Sequence, residues 1–525
     1  MLPSLLPSTV ATSLDRPAPS SSSRKVKSPL LAHNVSGDAS YNSLGAADEG
    51  DVTPADSETV SFLSPFKFPS SLDPFSTVEN YPWSWKKFLQ FVGPGWLMSL
   101  AYIDPGNLES DLQTGAYTRY ALVWVLFWAT VVGLLLQNLS SRLGVVTGRD
   151  LAQNSRDYFT RPKSIFLYLM MELAIIGSDL QEVLGSAIAI KLLSNNRIDL
   201  VYGCLITGLD TFTFLFVHHC GARYLEALIF ALIFSMAVAF FVNWGEVDVD
   251  RAALAAGWFI PSAKQYAIMQ AVGLVGSVIM PHNLFLHSGL VQSRGVDVND
   301  AGRVREANRY FLAEAVMALS LSYVINLAIL STFAEYFYDE GCAPQKHACM
   351  PNSAFSEHAE RFGACGGESK IGFSCGEIGL DTAGDALKAS LGEFGMTLWG
   401  LGLLAAGQAS TMTATLAGQI VMSGFFEMKV SVVARVAITR AIALGPAVLV
   451  CLATADNSTL NNKINEWLNI LQSLQVSRSR KEHRRRFRKE VRRCLACLCF
   501  GPQRSLLPSY TIIFIYAPSL LKCNN

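Results

Sequence analysis

The chain has few charges for its length, and no net charge. Only 16% of its 525 residues are charged, 50% are hydrophobic, and 42 basic residues balance 42 acidic ones. The zero net charge by itself says nothing about an anionic partner. We expect no nucleic-acid partner. This composition is too apolar for an ordinary soluble protein of this length. We therefore expect an integral, multi-pass membrane protein whose first partner is the lipid bilayer.

The N-terminal 80 residues lack the long apolar runs of the rest of the chain. They are rich in Ser, Pro, Asp and Glu, and they show no sustained periodicity. The cleavage-site pattern of a signal peptide is also missing from this stretch. Residues 1–80 are therefore predicted to form a disordered cytosolic tail.

Apolar segments long enough to cross a bilayer follow one another through residues 81–475. The loops after the second, fourth, sixth and eighth segments carry Arg and Lys, whereas the loop between the fifth and sixth is acidic. Because basic loops stay on the cytoplasmic side, we assign these loops and the N-terminal tail to the cytosol. Ten spans are predicted, at about residues 88–117, 120–146, 165–194, 198–218, 222–244, 265–292, 310–337, 395–421, 436–454 and from 464 onward.

The loop at 338–380 falls on the external side and contains four cysteines, Cys342, Cys349, Cys365 and Cys375. Cysteines on that side of a membrane favour two disulfides, for which three connectivities are open. A zinc site is the alternative, although none of the spacings is a CxxC. In the last external loop, the sequon at Asn457 predicts a glycosylation site.

Two of the predicted spans contain helix-breaking residues beside polar ones. The first span includes "SLAYIDPGNLESDLQTGA" (99–116), and the sixth includes "GSVIMPHNLFLHS" (276–288). Backbone groups freed by a proline at membrane depth are tolerated only where they are buried in protein or line a wet cavity. Asp104 at that depth is costly without a partner, which a cation or a neighbouring arginine would supply. Breaks at the first and sixth positions indicate two five-helix repeats of opposite topology, with a substrate site between the breaks.

The side chains at these breaks combine hard and soft ligands. Asp104 offers a carboxylate, Asn107 an amide oxygen and Met280 a thioether. Oxygens alone would suit Mg²⁺ or Ca²⁺, whereas a sulfur ligand favours Mn²⁺, Fe²⁺, Co²⁺ or Cd²⁺ over those hard ions. Methionine is also a common apolar filler, which is the alternative interpretation of Met280.

The motifs "DPGNLESDLQTGA" and "MPHNLFLHSGLV" resemble the paired signatures of the NRAMP family of proton-coupled divalent transition-metal transporters. The resemblance continues through "ELAIIGSDLQEVLGSAIAI", "LLAAGQASTMTATLAGQIVMSGF" and "LNILQSLQ", over about residues 82–475. It implies an all-α, LeuT-like fold of five plus five helices, with the first and sixth unwound. It also implies a transporter rather than an enzyme, with no cofactor and with Mn²⁺ or Fe²⁺ and protons as substrates. The metal ligands that it implies are Asp104, Asn107, Met280, the backbone carbonyls of Ala101 and Ser277, and Asn469 in the tenth helix.

The third span carries three acids, Glu172, Asp179 and Glu182. Steps of seven and three residues place them on about one-quarter of the helix circumference. Salt bridges to Arg435 or Arg440 would explain them structurally, whereas a chain of protonatable groups would explain them functionally. The two explanations are compatible, because an acid–arginine pair can also relay a proton.

Two histidines follow Met280 in the sixth span. His282 adds a group that titrates near neutral pH. The family resemblance supports Asp104, His282 and the third-span acids as a proton path. Two interpretations of His287 are open: it is a packed histidine hydrogen-bonded to the backbone, or it is a group of the proton relay.

The chain departs from the family pattern after Gln475. It continues "VSRSRKEHRRRFRKEVRRCLACLCF", so densely basic that no membrane helix can continue through it, and the tenth helix is predicted to be truncated. One explanation of residues 476–525 is a cytosolic tail that binds anionic lipid, with palmitoylated cysteines. The other is that the chain leaves the functional transcript here, at a read-through splice donor.

These features together predict proton-coupled symport of Mn²⁺ or Fe²⁺ toward the cytosol by a monomer. The membrane would be the plasma membrane or an endosomal or vacuolar membrane. Uptake of an organic substrate is a rival that Asp104 disfavours, because it would repel a substrate carboxylate. A transporter-like metal sensor or signalling protein is a rival from another class, and an inactive truncated product is the third.

Overall fold

The structure, a computed structural model, describes residues 82–100, 102–208, 222–354, 363–365, 372–426 and 458–477, with isolated positions between 442 and 452. Both predicted tails, residues 1–80 and the basic stretch from 478 onward, lie outside these residues. So do four residues with predicted roles, namely Ala101, Arg435, Arg440 and Asn457.

The described residues are mostly helical, as predicted. We number the helices in chain order, with α7 covering residues 200–208. The others are α1 Trp85–Phe91, α2 Pro94–Leu100, α3 Pro105–Thr118, α4 Val123–Thr147, α5 Leu151–Tyr158, α6 Arg161–Leu193, α8 Ala222–Gly245, α9 Arg251–Phe259, α10 Ile268–Val278, α11 Pro281–Leu290, α12 Ala301–Phe337, α13 Leu380–Phe426 and α14 Ser458–Ser477.

Within the described residues, five segments are long and apolar enough to cross a membrane. They are α4, α6, the α10–α11 segment, α12 and α13. These correspond to the second, third, sixth, seventh and eighth predicted spans, and α8 corresponds to the fifth. Parts of the fourth and ninth predicted spans, residues 209–218 and most of 436–454, lie outside the described residues.

The first and sixth spans are each interrupted, which confirms the prediction of two broken helices. α2 ends at Leu100 and α3 begins at Pro105, while α10 ends at Val278 and α11 begins at Pro281. In both cases proline is the first residue of the second half-helix. Proline suits that position, because its fixed φ fits a helix and its missing N–H would have no intrahelical partner there.

Two helices are longer than the sequence predicts. α12 begins at Ala301, where the side chain of Asp300 caps it, rather than near residue 310. α13 begins at Leu380 rather than 395, and it bends at Gly392, whose φ of 75° is open to glycine at little cost. Charged residues in the first turns of each helix lower the local hydropathy, so the hydropathy pattern does not predict these extensions.

The tenth span corresponds to α14, which has 20 residues. It extends to Ser477, two residues beyond the Gln475 at which the family pattern fails. The predicted truncation of this helix therefore falls at the limit of the described residues and stays a prediction.

The external loop folds into a two-stranded antiparallel hairpin stapled by disulfides. β1 (Ala348–Pro351) pairs with β2 (Phe373–Gly376). Disulfides join Cys342 to Cys375 and Cys349 to Cys365, which is one of the three open connectivities. Since a zinc site needs free thiolates, this pairing disfavours the zinc alternative for these four cysteines.

Candidate metal site

The first break places a carboxylate and an amide side by side. Asp104 caps α3, and its Oδ1 accepts hydrogen bonds from the backbone N–H of Asn107 at 2.7 Å and from Asn107 Nδ2 at 2.9 Å. Both residues are fully buried. Asp104 Oδ2 and Asn107 Oδ1 have no hydrogen-bond partner among the described residues. Two such buried acceptors are costly unless a cation or water binds them.

The second break places a thioether at the start of α11. Met280 is buried and precedes Pro281 with an extended backbone, φ −85° and ψ 120°. Ser277 lies in the last turn of α10, where carbonyls lack intrahelical partners. Its hydroxyl donates to the Leu274 carbonyl at 3.0 Å.

Three helices, α6, α13 and α14, each contact both α3 and α11, so the two breaks share one enclosure. α6 approaches the first break very closely. An ideal Cβ at Gly185 would lie 2.4 Å from Pro105 Cβ, so a residue without a side chain is needed there. The enclosure therefore brings carboxylate, amide and thioether ligands into the same buried region, and that donor set suits a transition-metal dication.

Asn469 reaches this region but is already hydrogen-bonded. Its Nδ2 donates to the Gly106 carbonyl at 3.3 Å, and its Oδ1 accepts from Gln181 Nε2 at 3.0 Å. Gln181, on α6, was not among the predicted site residues, although it lies in the "SDLQEVLG" motif. Its Oε1 lies 2.6 Å from where a Cβ on Gly106 would be. Gln181 thus holds Asn469 against the DPGN segment, and metal coordination by Asn469 would require this amide pair to separate.

A second contact that the sequence did not predict ties α3 to α14. Glu109 is fully buried, and its Oε2 accepts a hydrogen bond from Asn465 Nδ2 at 2.6 Å. Gln113 Nε2 donates to Glu109 Oε1 at 3.1 Å and to the Ile378 carbonyl at 3.2 Å. One pattern in the sequence could have indicated these contacts. Asn465 and Asn469 are four residues apart, which places both on one face of α14. These contacts close the side of the site that faces the disulfide loop.

The three acids of α6 differ in their surroundings. Glu182 is fully buried, and its Oε1 accepts from Ser178 Oγ at 2.9 Å and from Ser410 Oγ at 2.5 Å. Asp179 is also buried, whereas Glu172 is only partly buried and is hydrogen-bonded to Tyr168. Because hydroxyl groups can pass protons between carboxyl groups, the chain of acids and serines suits a relay.

Both histidines of α11 are buried. His282 Nδ1 has no hydrogen-bond partner among the described residues, and this ring lies two residues beyond Met280. His287 lies beside the backbone of Gln137 on α4. The position of His282 next to the metal ligand suits proton exchange, and both a packing role and a relay role stay open for His287.

Residues 95–478 match the family model described as natural resistance-associated macrophage protein-like. The chain is 44% identical over 410 residues to the metal transporter nramp1 homolog of Dictyostelium discoideum, covering 78% of this chain and 69% of that one. It is also 44% identical over 444 residues to natural resistance-associated macrophage protein 2 of Mus musculus, covering 82% of this chain and 76% of that one.

A solved structure is similar over the same region. The crystal structure of the Eremococcus coleocola manganese transporter, in complex with an aromatic bis-isothiourea substituted compound, superposes with a TM-score of 0.61 at 30% identity. The similarity covers 77% of this chain and 79% of that one.

Proposed function

This chain belongs to the natural resistance-associated macrophage protein family of multi-pass membrane metal transporters, and we propose that it moves Mn²⁺ or Fe²⁺ toward the cytosol together with protons. Its all-α, LeuT-like fold is that of the family, which needs no cofactor and is not enzymatic. The metal is the transported substrate. We propose that the chain acts as a monomer, without a nucleic-acid partner, in the plasma membrane or an endosomal or vacuolar membrane.

One observation carries the choice of substrate. At the two helix breaks the chain buries two acceptor oxygens without donors among the described residues, Asp104 Oδ2 and Asn107 Oδ1, and it places the Met280 thioether in the same enclosure. A dication would satisfy both oxygens, and the sulfur would lower the relative affinity for Ca²⁺ and Mg²⁺. The backbone carbonyls of Ala101 and Ser277 complete the proposed ligand set, and Asn469 would join it only after releasing Gln181.

Proton coupling is proposed from the acids and histidine that surround the metal ligands. A dication bound to Asp104 lowers the proton affinity of that carboxylate, so metal entry releases or excludes a proton there. His282 is the neighbouring group that can exchange it, and Glu182, Asp179 and Glu172 continue away along α6. Arg435 and Arg440 remain proposed partners of this path.

A second function would use the same fold without transport. A transporter-like metal sensor, or a truncated inactive product, would bind the metal through the same ligands but move none. The basic sequence after Gln475 favours this alternative, because it interrupts the family pattern. Binding and transport must therefore be measured separately.

The test uses the purified full chain in liposomes that contain a metal-sensitive dye and a pH-sensitive dye. With an inward proton gradient we expect Mn²⁺ influx and, with it, acidification of the interior beyond that of empty liposomes. The Asp104→Ala variant should show neither signal. Metal influx without acidification would contradict proton coupling, and Mn²⁺ binding without influx would support the sensor or truncated alternative.

A further inference from the structure

Glu109 lies on a different face of α3 from the proposed metal ligands. It follows Asp104 by five residues, which is about 140° around a helix of about 3.6 residues per turn. Gln113 and Tyr117 follow Glu109 at steps of four residues and share its face, which is turned toward the external loop and α14. The carboxylate of Glu109 is therefore a buried group that the site at the helix breaks does not use.

This carboxylate is buried without a basic partner among the described residues. Its two oxygens accept hydrogen bonds from neutral amides, from Gln113 Nε2 at 3.1 Å and from Asn465 Nδ2 at 2.6 Å. The charged groups that act on it are the carboxylates of Asp381 and Glu466, which repel its charge. Because a buried carboxylate is costly without a counter-charge, these surroundings favour a bound cation.

Two lysines between the external loop and α14 are paired with other acids. Lys346 Nζ lies 2.9 Å from Glu466 Oε1. Lys463 Nζ lies 3.9 Å from Glu377 Oε1. Both lysines are thus held by partners of their own, and neither of these pairs supplies a counter-charge to Glu109.

Uncharged oxygens converge beside this carboxylate. Asn465 Oδ1 belongs to the amide group that touches Glu109, and it is buried without a hydrogen-bond partner among the described residues. The Ile378 carbonyl accepts from the same Gln113 Nε2 that binds Glu109, at 3.2 Å. Asn462, about one turn before Asn465, packs directly on the residue after Ile378, and its Oδ1 likewise lacks a partner among the described residues. Buried oxygens of this kind are costly unless a cation or water binds them.

The candidate ligands at Glu109 are all oxygens. A carboxylate combined with amide and carbonyl oxygens suits a hard dication such as Ca²⁺ or Mg²⁺, and it also accepts Mn²⁺. The site at the helix breaks differs, because Met280 adds a sulfur ligand there. Rotation of the Asn465 amide would place its oxygen, in exchange for its nitrogen, beside Glu109, so a cation could bind without the movement of a helix.

We propose a second site for a divalent cation, on the external side of the helix breaks. Its ligands are the Glu109 carboxylate, the amide oxygens of Asn462 and Asn465, and the Ile378 carbonyl, with water in the remaining positions. This site binds Ca²⁺, Mg²⁺ and Mn²⁺ with little discrimination, and selection among them takes place at the sulfur ligand further in. The binding itself does not depend on transport, whereas its role as the position that an ion occupies before it reaches the helix breaks rests on the proposed function.

The test measures metal binding to the purified full chain rather than transport. Asp104→Ala removes the charged ligand at the helix breaks, and the Mn²⁺ that still binds is measured by electron paramagnetic resonance, which detects the free ion. We expect this variant to retain bound Mn²⁺ that added Ca²⁺ displaces. Combining it with Glu109→Gln should weaken the remaining Mn²⁺ binding at least about tenfold, because loss of even a group that supports a metal ligand costs about 10- to 100-fold in affinity.

Two further variants separate a ligand from a structural group. Asn465→Ala keeps the Glu109 carboxylate but removes an oxygen ligand, so it should also weaken the Ca²⁺-sensitive binding. Glu335→Gln is the matched control, because this external glutamate of α12 binds Tyr120 at 2.8 Å and Arg119 at 3.6 Å, and it should leave the binding unchanged. Added Ca²⁺ should also raise the Tm of Asp104→Ala but not that of the variant that carries Glu109→Gln as well, since a ligand stabilises only the fold that binds it.

Three results would overturn the second site. The first is a folded Asp104→Ala chain that binds no Mn²⁺. The second is binding that Glu109→Gln leaves intact, which would make Glu109 a structural group held by two amides. The third is an equal loss in Glu335→Gln, which would mean that any external acid suffices. Ca²⁺-sensitive binding in a chain that moves no metal would instead support this site and contradict the proposed transport, so the two proposals can fail separately.

Discussion

Replacing Gly185 by alanine tests whether the close packing of α6 on the first break positions the metal ligands. The added Cβ would lie 2.4 Å from Pro105 Cβ and 2.6 Å from its Cγ. Carbon atoms in contact are normally about 3.5 Å or more apart, so α6 and the start of α3 would have to separate by about 1 Å. Neither side is a flexible side-chain end, because one atom belongs to a helix and the other to a proline ring.

The expected loss of metal affinity follows from how little displacement of its ligands a metal site tolerates. Ligand distances vary by only about 0.2 Å, and Asp104 is bonded directly to Pro105, so a shift of about 1 Å takes the carboxylate out of range. Overpacking of this kind costs about 1–3 kcal/mol. If that cost appears in metal binding, the affinity falls about fivefold to about 150-fold.

The assay is the concentration dependence of Mn²⁺ uptake, corrected for the amount of protein in the membrane. Gly185→Ala should raise KM at least about fivefold by the same reasoning. Gly177→Ala is the matched control on α6, because its Cβ would meet only the flexible end of Leu468 at 3.4 Å. The control should change KM less than about twofold. A normal KM in Gly185→Ala would refute the idea that this contact fixes the position of Asp104.

Three further predictions concern the metal, the cytosolic loop and the external loop. Met280→Ala removes the soft ligand, so Ca²⁺ should become an effective competitor of Mn²⁺ uptake; continued exclusion of Ca²⁺ would contradict a ligand role for Met280. Burial raises the pKa of Asp150, in the loop before α5, to about 6, although backbone hydrogen bonds from Gln153 and Ala152 oppose the rise. The folded chain therefore binds this proton more tightly than the unfolded chain, and its stability falls by up to about 3 kcal/mol as the pH rises from about 4 to above about 6. Asp150→Asn should flatten the dependence of Tm on pH between about 4 and about 6.5, and an unchanged slope would contradict this assignment. Mass spectrometry of unreduced peptides should recover Cys342 with Cys375 and Cys349 with Cys365, and any other pairing would contradict the folded structure of this loop.

The helix breaks could be predicted because their causes are local. Proline at positions 105 and 281 starts a half-helix whatever the neighbouring helices do, and the residue before it has to take an extended backbone. The types of metal ligand could also be predicted locally, because the candidate ligands lie next to these prolines in the sequence. The placement of the breaks in the first and sixth spans predicted a site between them, and the family resemblance then supplied the fold.

The contacts that complete the site could not be predicted, because they join residues far apart in sequence. Gln181 meets Asn469 and Glu109 meets Asn465 only after α6, α3 and α14 have packed together. The hydrogen bond from the Gly93 N–H to Glu314 has the same character, since the sequence of α12 does not identify which glutamate meets Gly93. The disulfide connectivity was likewise open among three pairings, and only the folded loop shows that Cys342 joins Cys375 and Cys349 joins Cys365.

The most direct test of the central claim is Mn²⁺ uptake by cells that express this full chain, measured at about pH 5.5 and about pH 7.5 beside cells that express Asp104→Ala. The account predicts uptake that is greater at the lower pH and is lost in Asp104→Ala at equal surface expression. Uptake that persists without the Asp104 carboxylate would contradict the assignment of the metal site, and absence of uptake from correctly inserted wild-type protein would contradict the proposed transport function.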